Sequence, residues 1–563
     1  MDSLKSEIRA AISSALYDAA AASRMALGFL EDAEIPVFTV NSPREEQFGD
    51  FSTNIAMQMA KLARRPPRDV AAMIRERIDL KRCSWVQKVE IAGPGFLNFY
   101  LDPGWLYEAL QRIVSQGESY GRAKIGGGRE VNVEFVSANP TGLLHMGNAR
   151  GAALGDSIAA LLSFCGFSVT REFYVNDSGH QIERFAASLE ARYLQEFGED
   201  APVPEDGYHG ADLITTVRRF IAETGGAYRK APAPERRDAL ARFAVADKIG
   251  AIRESLGSFG VHYDVWFSEQ ALHQEGAVEK VVRELTARGA TYEHEGALWF
   301  RAKDHGADKD EVLVRSNGVA TYFAADIAYH VNKLERGFVW MINVWGADHH
   351  GHVPRIKAAL KALGYDPDCL QVIIMQLVRL LSDGEVVRMS KRTGEFVSLD
   401  ELLEEVGRDA ARYFFVLRSA DSHLDFDLDL AKSQSMENPV YYVQYAHARI
   451  SSLYRQLALK GKEFPRFLNV KLDALSAEEE KRLIKKLADF PEEVADAALD
   501  LAPHRLTGYI YEVAGLFHAF YNVHRVIGSG EGLEEARLVL VQATGIVLRQ
   551  GLGLLGISAP EKM

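Results

Sequence analysis

The chain has 563 residues, a formal net charge of -13, and a composition that is 47% hydrophobic and 25% charged. This length exceeds what one hydrophobic core supports, so we expect about two to four globular domains. Its 3 cysteines, Cys83, Cys165 and Cys369, are far apart in sequence, which argues against a disulfide framework and against a CxxC zinc motif.

Targeting and charge narrow the function classes further. The N-terminal stretch has helical periodicity with interspersed charges and lacks the pattern of a signal peptide. No apolar run approaches the roughly 20 residues that span a bilayer, so we expect a cytoplasmic protein without a membrane partner. The acidic net charge argues weakly against a nucleic-acid partner, because an acidic protein can still carry a local basic face.

Residues 1–120 predict a small α+β unit. A helical pattern opens the chain, and VQKVEIAGPGFLNFYL at residues 86–101 indicates two strands joined by a Gly-Pro-Gly turn. The glycines of KIGGGREV at residues 124–131 could hold phosphate through backbone amides or could form a flexible linker. We favour the linker, because no Gly-Lys-Ser/Thr follows as a P-loop requires.

The next segment indicates a doubly wound parallel sheet. Residues 131–137 form a strand candidate, a helix pattern runs from His145 to about Phe164, and residues 167–175 form a second strand candidate. Such a βαβ unit begins an α/β fold.

The remaining chain divides into an insertion, more α/β pattern and a helical end. Residues 183–300 contain mostly polar amphipathic helix patterns and are predicted to be an insertion. The α/β pattern resumes at residues 320–331, 338–346 and 370–378, and from Met436 onward the pattern predicts a helical bundle.

The segment SANPTGLLHMGN lies where the first strand passes into the first helix, which is where open α/β sheets bind ligands. His145 stands near the helix start, and Asn148 follows about one turn later on the same face. Both side chains can donate hydrogen bonds, and Gly147 removes bulk where a flat base could approach. Taken alone, this pattern is more typical of an ordinary helix start with an incidental histidine than of a binding site.

A cationic loop, VVRMSKRTGEFV at residues 386–397, precedes a predicted helix at Leu399–Val406. Lys391 and Ser390, flanked by Arg388 and Arg392, suit an anionic ligand, although a solvated basic loop is the commoner fate of such a run.

With the His145–Asn148 segment followed by the Lys391 loop on a parallel-sheet pattern, the chain resembles a class I aminoacyl-tRNA synthetase. More narrowly, it resembles a bacterial arginyl-tRNA synthetase. The resemblance covers nearly the whole chain and is weakest over residues 183–300. The matching segments are PREEQFGDFSTNIAM, VEIAGPGFLNFYL, VEFVSANPTG, YVNDSGHQI, TYFAADIAYH, WGADHHGH, MSKRTG and ENPVYYVQYAHARI.

The resemblance implies an α/β fold with a Rossmann-like catalytic domain at residues 121–435, an N-terminal α+β domain at 1–120 that reaches the tRNA elbow, and a C-terminal α-helical anticodon-binding bundle at 436–563. It further implies a monomer without an obligate protein partner, whose partners are ATP, L-arginine and tRNA(Arg).

The implied reaction activates L-arginine with ATP and passes the arginyl group to the 3'-terminal adenosine of the tRNA. Its catalysis is positioning and charge stabilisation, so the implied catalytic residues His145, Asn148 and Lys391 are donors rather than bases. Mg²⁺ would accompany the nucleotide. The implied signature is Ala138, Asn139, Pro140, Thr141, Gly142, Leu143, Leu144, His145, Met146, Gly147 and Asn148, and the further ATP-binding residues are Asp348, Met389, Ser390 and Lys391.

The arginine pocket needs acceptors for a guanidinium fork. By resemblance, Glu134 and Asn139 hold the α-amino and carboxylate end, Asp326 pairs with the guanidinium, and Tyr322 supports it. The competing interpretation of Glu134 is a buried carboxylate with an internal Arg or Lys partner.

Two positions depart from the family pattern. The second signature His is Asn148, which keeps a donor, and the lysine loop begins with Arg388, which keeps the charge. Some arginyl synthetases lack the loop lysine and carry one just before the histidine signature. Here Leu143 and Leu144 stand at that place, so the phosphate lysine is expected to be Lys391.

Three further groups of residues have weaker assignments. The histidines of WGADHHGH at residues 345–352 lack cysteines and helical spacing, so we expect no structural metal. Phe48 is a candidate for the tRNA elbow. Tyr442, Tyr445 and Arg449 are candidates for anticodon bases, although aromatic residues at helical spacing are more often core.

Two alternatives stay open on sequence alone. One is a nucleotidyltransferase with an H-x-G-H site that makes a nucleotide-linked metabolite, which would not need a long helical C-terminal domain. The other is a synthetase-like tRNA-binding protein whose site has decayed at Asn148. ATP–pyrophosphate exchange separates both from an active synthetase.

Overall fold

The computed structural model describes residues 4–26, 35–43, 45–387, 397–462, residue 467 and residues 470–563. Within these residues, no helix is long and apolar enough to cross a membrane.

The N-terminal region is an α+β unit, as predicted. Its three-stranded sheet is antiparallel in the order β1-β3-β2, and the predicted hairpin at residues 86–101 forms with its Gly-Pro-Gly turn between β2 and β3. The elements are α1 (Leu4–Ala26), β1 (Phe51–Thr53), α2 (Ile55–Ala63), α3 (Pro67–Arg77), β2 (Val86–Ala92), β3 (Phe96–Leu101) and α4 (Gly104–Gln116).

The centre of the molecule is an α/β layer around a five-stranded parallel sheet, which confirms the predicted fold class. The elements are β4 (Glu130–Glu134), α5 (Met146–Phe164), β5 (Ser168–Val175), α6 (His180–Glu196), α7 (Asp212–Thr224), α8 (Ala233–Ser258), β6 (Val265–Ser268), α9 (Glu269–Gln274), α10 (Ala277–Ala287), β7 (Thr291–His294), β8 (Ala297–Phe300), β9 (Glu311–Val314), α11 (Tyr322–Glu335), β10 (Trp340–Gly346), α12 (Val353–Ala362) and β11 (Leu370–Met375).

The strand order of this sheet is β11-β10-β4-β5-β6. The chain moves from β4 to β5 and β6 on one side, and later returns to place β10 and β11 on the other side of β4. The order therefore reverses between β4 and β10, which makes a crevice at the carboxyl ends of these two strands.

The prediction of one insertion over residues 183–300 is wrong in one respect. The four-residue strand β6 lies inside that range and pairs with β5 as the edge of the central sheet. The helices α6 to α8 leave the sheet as one inserted unit, with their own core around Phe185, Tyr193 and Phe220. The small sheet β7-β8-β9 forms a second excursion after β6.

The glycine-rich turn at residues 126–128 is neither a phosphate nest nor a flexible linker. The Gly126 amide donates to the Cys165 carbonyl at 3.0 Å, and the Gly128 amide donates to the Gly166 carbonyl at 2.8 Å. A Cβ on Gly126 would lie 2.4 Å from the Phe167 nitrogen, so the turn packs directly on the chain that leads into β5.

The C-terminal half ends in a helical bundle, as predicted. Before the bundle, the C-terminal half begins with a small sheet in the order β13-β12-β14. One apolar cluster runs from the N-terminal unit through the central sheet into the bundle, so the domain limits stay a prediction. The elements are β12 (Val378–Ser382), β13 (Glu385–Val387), α13 (Leu399–Val406), α14 (Arg408–Val416), β14 (Leu424–Asp427), α15 (Leu428–Lys432), α16 (Pro439–Leu459), α17 (Glu478–Ala488), α18 (Phe490–Leu499), α19 (Pro503–Val523) and α20 (Leu533–Leu554).

Candidate active site

The predicted site residues collect around the crevice between β4 and β10. Glu134 ends β4 and the signature segment follows it, while Asp348 follows the end of β10. The helix α11, which carries Tyr322 and Asp326, precedes β10 and confirms that these two residues share a helix. Sequence elements almost 200 residues apart therefore meet because β4 and β10 are neighbours in register.

The turn after β4 is strained. Val136 has φ 70° and Ser137 has φ 42°, which side-chain-bearing residues rarely adopt, and a β-branched residue least of all. The Ser137 hydroxyl donates to Glu134 Oε1 at 3.0 Å and accepts from the Tyr174 amide of β5 at 3.1 Å. This side chain holds the strained turn against both strands. No glycine marks these two positions, so the strained turn could not be predicted from the residue types.

The start of α5 is closed by a reciprocal cap. The Gly147 amide donates to His145 Nδ1 at 3.1 Å, and the His145 amide donates to Asn148 Oδ1 at 3.1 Å. An accepting Nδ1 places the ring proton on Nε2. Partial desolvation by the surrounding atoms lowers the pKa of His145, which keeps the ring neutral near pH 7.

The cap thus leaves His145 Nε2–H and Asn148 Nδ2 as two donors without a hydrogen bond to any described residue. His145 is solvent-exposed and Asn148 partly exposed, so both donors are accessible to a ligand. The helix axis adds the partial positive charge of its N-terminus, and the arrangement suits an anionic group such as a phosphate.

The predicted lysine loop, with Arg388, Met389, Ser390 and Lys391, lies outside the described residues. The chain on its C-terminal side is attached to the signature. Ser398 forms an antiparallel bridge with His145, and the Leu399 amide donates to the Leu144 carbonyl at 2.8 Å. The histidine signature and the chain just after the lysine loop are therefore joined by backbone pairing.

The acidic residues of the predicted arginine pocket already have internal partners. Asp326 Oδ2 accepts from His352 Nε2 at 2.8 Å, and this carboxylate stays about one third exposed. Glu134 is buried and accepts from Lys333 Nζ at 2.6 Å, so it has the internal partner that the competing interpretation expected. Its role toward a ligand remains a prediction.

The other predicted pocket residues are open to solvent. Tyr322 is 47% exposed, and its hydroxyl would lie 3.3 Å from a Cβ on Gly179, just beyond β5. Asp348 is largely exposed beside His349. Asn139 is exposed and its carbonyl accepts from the Thr141 amide at 2.8 Å.

The histidines of residues 345–352 form a 3-10 helix after β10, in which His352 is committed to Asp326. Across the described part of the chain, no group of three His, Cys, Asp or Glu side chains is arranged to hold a metal ion.

Three family models match the chain in succession. They are the arginyl tRNA synthetase N terminal domain over residues 2–101, the catalytic domain of tRNA synthetases class I (R) over 109–423, and the DALR anticodon binding domain over 443–563. An arginine–tRNA ligase of Desulforudis audaxviator is 63% identical over 564 residues, covering 100% of both chains. The chain belongs to the arginyl-tRNA synthetase family.

Other members agree with this assignment. An arginine–tRNA ligase of Desulforamulus reducens is 56% identical over 563 residues and 100% of both chains. The solved arginyl-tRNA synthetase of Thermus thermophilus has a TM-score of 0.75 at 27% identity, covering 99% of this chain and 100% of that chain. The family resemblance drawn from the sequence motifs is confirmed.

The C-terminal aromatic candidates of this family member lie on α16 and face α19. Tyr442 packs on Tyr511 with ring centroids 4.9 Å apart, and Arg449 lies 4.9 Å from the Tyr445 ring. Arg449 also lies 4.9 Å from the Tyr521 ring. These contacts tie the two helices together, and each of the three residues remains partly exposed.

Phe48 lies in the N-terminal unit at the wall of a cavity of about 470 Å³. The cavity is also lined by Phe96, Asn54 and Asn98, so flat apolar surface and amide groups share one opening. Phe48 is 40% exposed, which leaves its ring available to a planar ligand.

Proposed function

We propose that the chain is an arginine–tRNA ligase that activates L-arginine with ATP and transfers the arginyl group to the 3'-terminal adenosine of tRNA(Arg), as a monomer in the cytoplasm. The observation that carries this proposal is the crevice between β4 and β10. There a helix N-terminus with two available donors, His145 and Asn148, lies close in the fold to a helix that presents Tyr322 and Asp326. Sequence identity of 63% to an arginine–tRNA ligase over the full length of both chains supports the same assignment.

The first step needs no nucleophile from the protein. An oxygen of the arginine carboxylate forms a bond to the α-phosphorus of ATP, the bond from that phosphorus to the bridging oxygen breaks, and pyrophosphate leaves. Negative charge builds on the phosphate oxygens in this step. His145 Nε2–H and Asn148 Nδ2 donate to these oxygens, and Lys391 supplies a positive charge. Mg²⁺ carried by the nucleotide would supply charge neutralisation for the leaving pyrophosphate.

The second step transfers the arginyl group. A hydroxyl of the terminal ribose forms an ester bond with the arginyl carbonyl carbon, AMP leaves, and its phosphate takes the hydroxyl proton. The donors that stabilised the first transition state then hold AMP as the leaving group. Asp348 and Gly147 complete the nucleotide side of the site, at the ends of β10 and α5.

The site binds arginine at its guanidinium group and at its α-amino and carboxylate groups. The guanidinium pairs with Oδ1 of Asp326, which accepts no hydrogen bond from a described residue. The other oxygen, Oδ2, accepts from His352. Tyr322 supports the pair. Glu134 and Asn139 receive the α-amino and carboxylate groups. Carboxylate acceptors suit a guanidinium because they match its planar donors.

We assign the tRNA contacts to the N-terminal unit and to the C-terminal bundle. The cavity beside Phe48 offers stacking surface and amide donors for an unstacked base, which is how proteins read exposed RNA bases. Tyr442, Tyr445 and Arg449 offer the same chemistry on the bundle, through the parts of their rings that remain exposed.

ATP–pyrophosphate exchange tests the proposal. We expect exchange that requires both arginine and tRNA(Arg), since arginyl members of the family typically need tRNA for activation. Exchange with a different acid and no tRNA would favour a metabolite nucleotidyltransferase. Absence of exchange under all conditions would favour a tRNA-binding protein with a decayed site.

A further inference from the structure

A chain of buried polar side chains connects the two acidic residues of the arginine pocket. Lys333 Nζ donates to Glu134 Oε2 at 2.6 Å and to Asn343 Oδ1 at 3.2 Å. Asn343 Nδ2 donates to His330 Nε2 at 2.9 Å, and His330 Nδ1 donates to the Asp326 carbonyl at 2.7 Å. Lys333 and Asn343 are fully buried, and Glu134 and His330 nearly so.

The Lys333 ammonium is fully used in this chain. Besides its two hydrogen bonds, it lies 4.4 Å from the centre of the Tyr329 ring, so each of its three donors faces an acceptor or a π face. A lysine with no exposed surface is rare unless it is paired. No step of the proposed reaction uses this ammonium, because Lys333 has no exposed surface through which a ligand could reach it.

We propose that Lys333 is a positioning residue for the arginine site, which holds the Glu134 carboxylate in the orientation that receives the α-ammonium of arginine. This inference rests on the proposed role of Glu134. The hydroxyl of Ser137 holds the other oxygen of the same carboxylate at 3.0 Å, from the strained turn after β4. Each carboxylate oxygen accepts two hydrogen bonds, so Lys333 and Ser137 leave acceptor positions for the ligand.

Two opposing effects decide how Lys333 acts. Its charge repels a second ammonium, which would weaken the binding of arginine. A buried carboxylate without a cationic partner is, however, costly to hold in place, and once displaced it no longer forms the charge-assisted bond to an ammonium. The second effect is the larger one, because it removes the attraction entirely, whereas the repulsion is offset by the shared carboxylate.

Calorimetric titration of the full-length protein with two ligands tests this role. The ligands are L-arginine and 5-guanidinopentanoate, which lacks only the α-amino group. For Lys333→Met we expect arginine affinity to fall by about tenfold to a hundredfold, as for loss of a charged hydrogen bond, while the affinity for 5-guanidinopentanoate changes by less than about twofold. The kcat for aminoacylation at saturating arginine should stay near the wild-type value.

Arg336→Met is the matched control. Arg336 pairs with the buried carboxylate of Glu172 at 2.7 Å, one strand away from Glu134 and in the same register. Its loss also removes a cation from a buried carboxylate but leaves the hydrogen bonds of Glu134 in place, so arginine should keep its advantage over 5-guanidinopentanoate. If Lys333→Met fails to fold, Ser137→Ala tests the other oxygen, with the same selective loss at about threefold to tenfold.

Each outcome decides between the proposals. Equal losses for both ligands, or tighter arginine binding in Lys333→Met, would overturn the positioning role. If Glu134→Gln lowers arginine affinity but neither Lys333→Met nor Ser137→Ala does, only the inference fails. If Glu134→Gln itself leaves arginine affinity unchanged, the proposed α-ammonium site is wrong.

Discussion

Asn148 has two separable tasks at the start of α5, and replacing it by Asp separates them. Its Oδ1 accepts from the His145 amide at 3.1 Å, while its Nδ2 is the donor we assign to the reacting phosphate. Asp keeps the acceptor and the volume, and its charge near a helix N-terminus stabilises the helix by about 0.3–1 kcal/mol. Loss of one transition-state donor costs about 2.7–4 kcal/mol, or about 10²–10³-fold in kcat. Asn148→Asp should therefore fold as stably as the wild type and activate arginine at least a hundredfold more slowly.

The assay is ATP–pyrophosphate exchange with arginine and tRNA(Arg), together with the urea midpoint of unfolding. Asn148→Ala is the comparison that loses both tasks, so it should show the kinetic loss and about 1 kcal/mol less stability. Asn148→His should retain activity above neutral pH, since a neutral imidazole offers one acceptor and one donor. An exchange rate for Asn148→Asp within about tenfold of wild type would refute the donor role of this side chain.

Three other changes probe the rest of the site. Lys391→Ala should lower the rate of adenylate formation by about 10²-fold or more with little effect on arginine affinity, and a small kinetic effect would return the phosphate role to another cation. Asp326→Asn should raise the KM for arginine by about tenfold or more while the KM for ATP is nearly unchanged, because only the guanidinium loses its charged partner; an unchanged arginine KM would contradict the pocket. Burial lowers the pKa of His330 to about 3, so the unfolded chain binds a proton below about pH 6.5 that the folded chain does not. Stability should therefore fall as pH drops below 6.5, by about 2 kcal/mol at pH 5, and His330→Gln should remove that part of the pH dependence of the urea midpoint; an unchanged pH dependence would show that His330 becomes protonated in the folded protein.

The sequence predicted the parts of this site that rest on periodicity. The helix from His145, the strand after it and the helix at Leu399–Val406 form where the apolar pattern placed them, whereas the strand predicted over residues 131–137 ends at Glu134, before the strained turn. The small strand β6 was missed, because four residues between long helical patterns carry too little periodicity to stand out. Its pairing with β5 depends on the rest of the sheet, which one local window cannot show.

Lys333 was missed for a different reason, although the sequence contains a signal for it. Asp326, His330 and Lys333 stand at i, i+4 and i+7, so three polar residues share one face of α11. A helix that packs on a sheet normally turns an apolar face inward, and a polar stripe on that face predicts a buried network. The partners Glu134 and Asn343 come from two other strands, however, and only the parallel register of β4 and β10 brings them together.

The chain before and after the lysine loop is attached to the start of α5, which carries the histidine signature. Arg150, two residues after Asn148, is fully buried and donates to the Gln376 carbonyl at 2.7 Å and to the Ser419 carbonyl at 2.9 Å. Gln376 lies between β11 and β12, so the first turns of α5 are fixed to the chain that enters the lysine segment. The bridge between His145 and Ser398 fixes the chain that leaves it. The start of α5 thus holds both flanks of the lysine segment. The same helix start carries the cap that orients the His145 and Asn148 donors. The donors of the signature segment and both described flanks of the lysine segment therefore share one framework, which suits a reaction catalysed by positioning and charge.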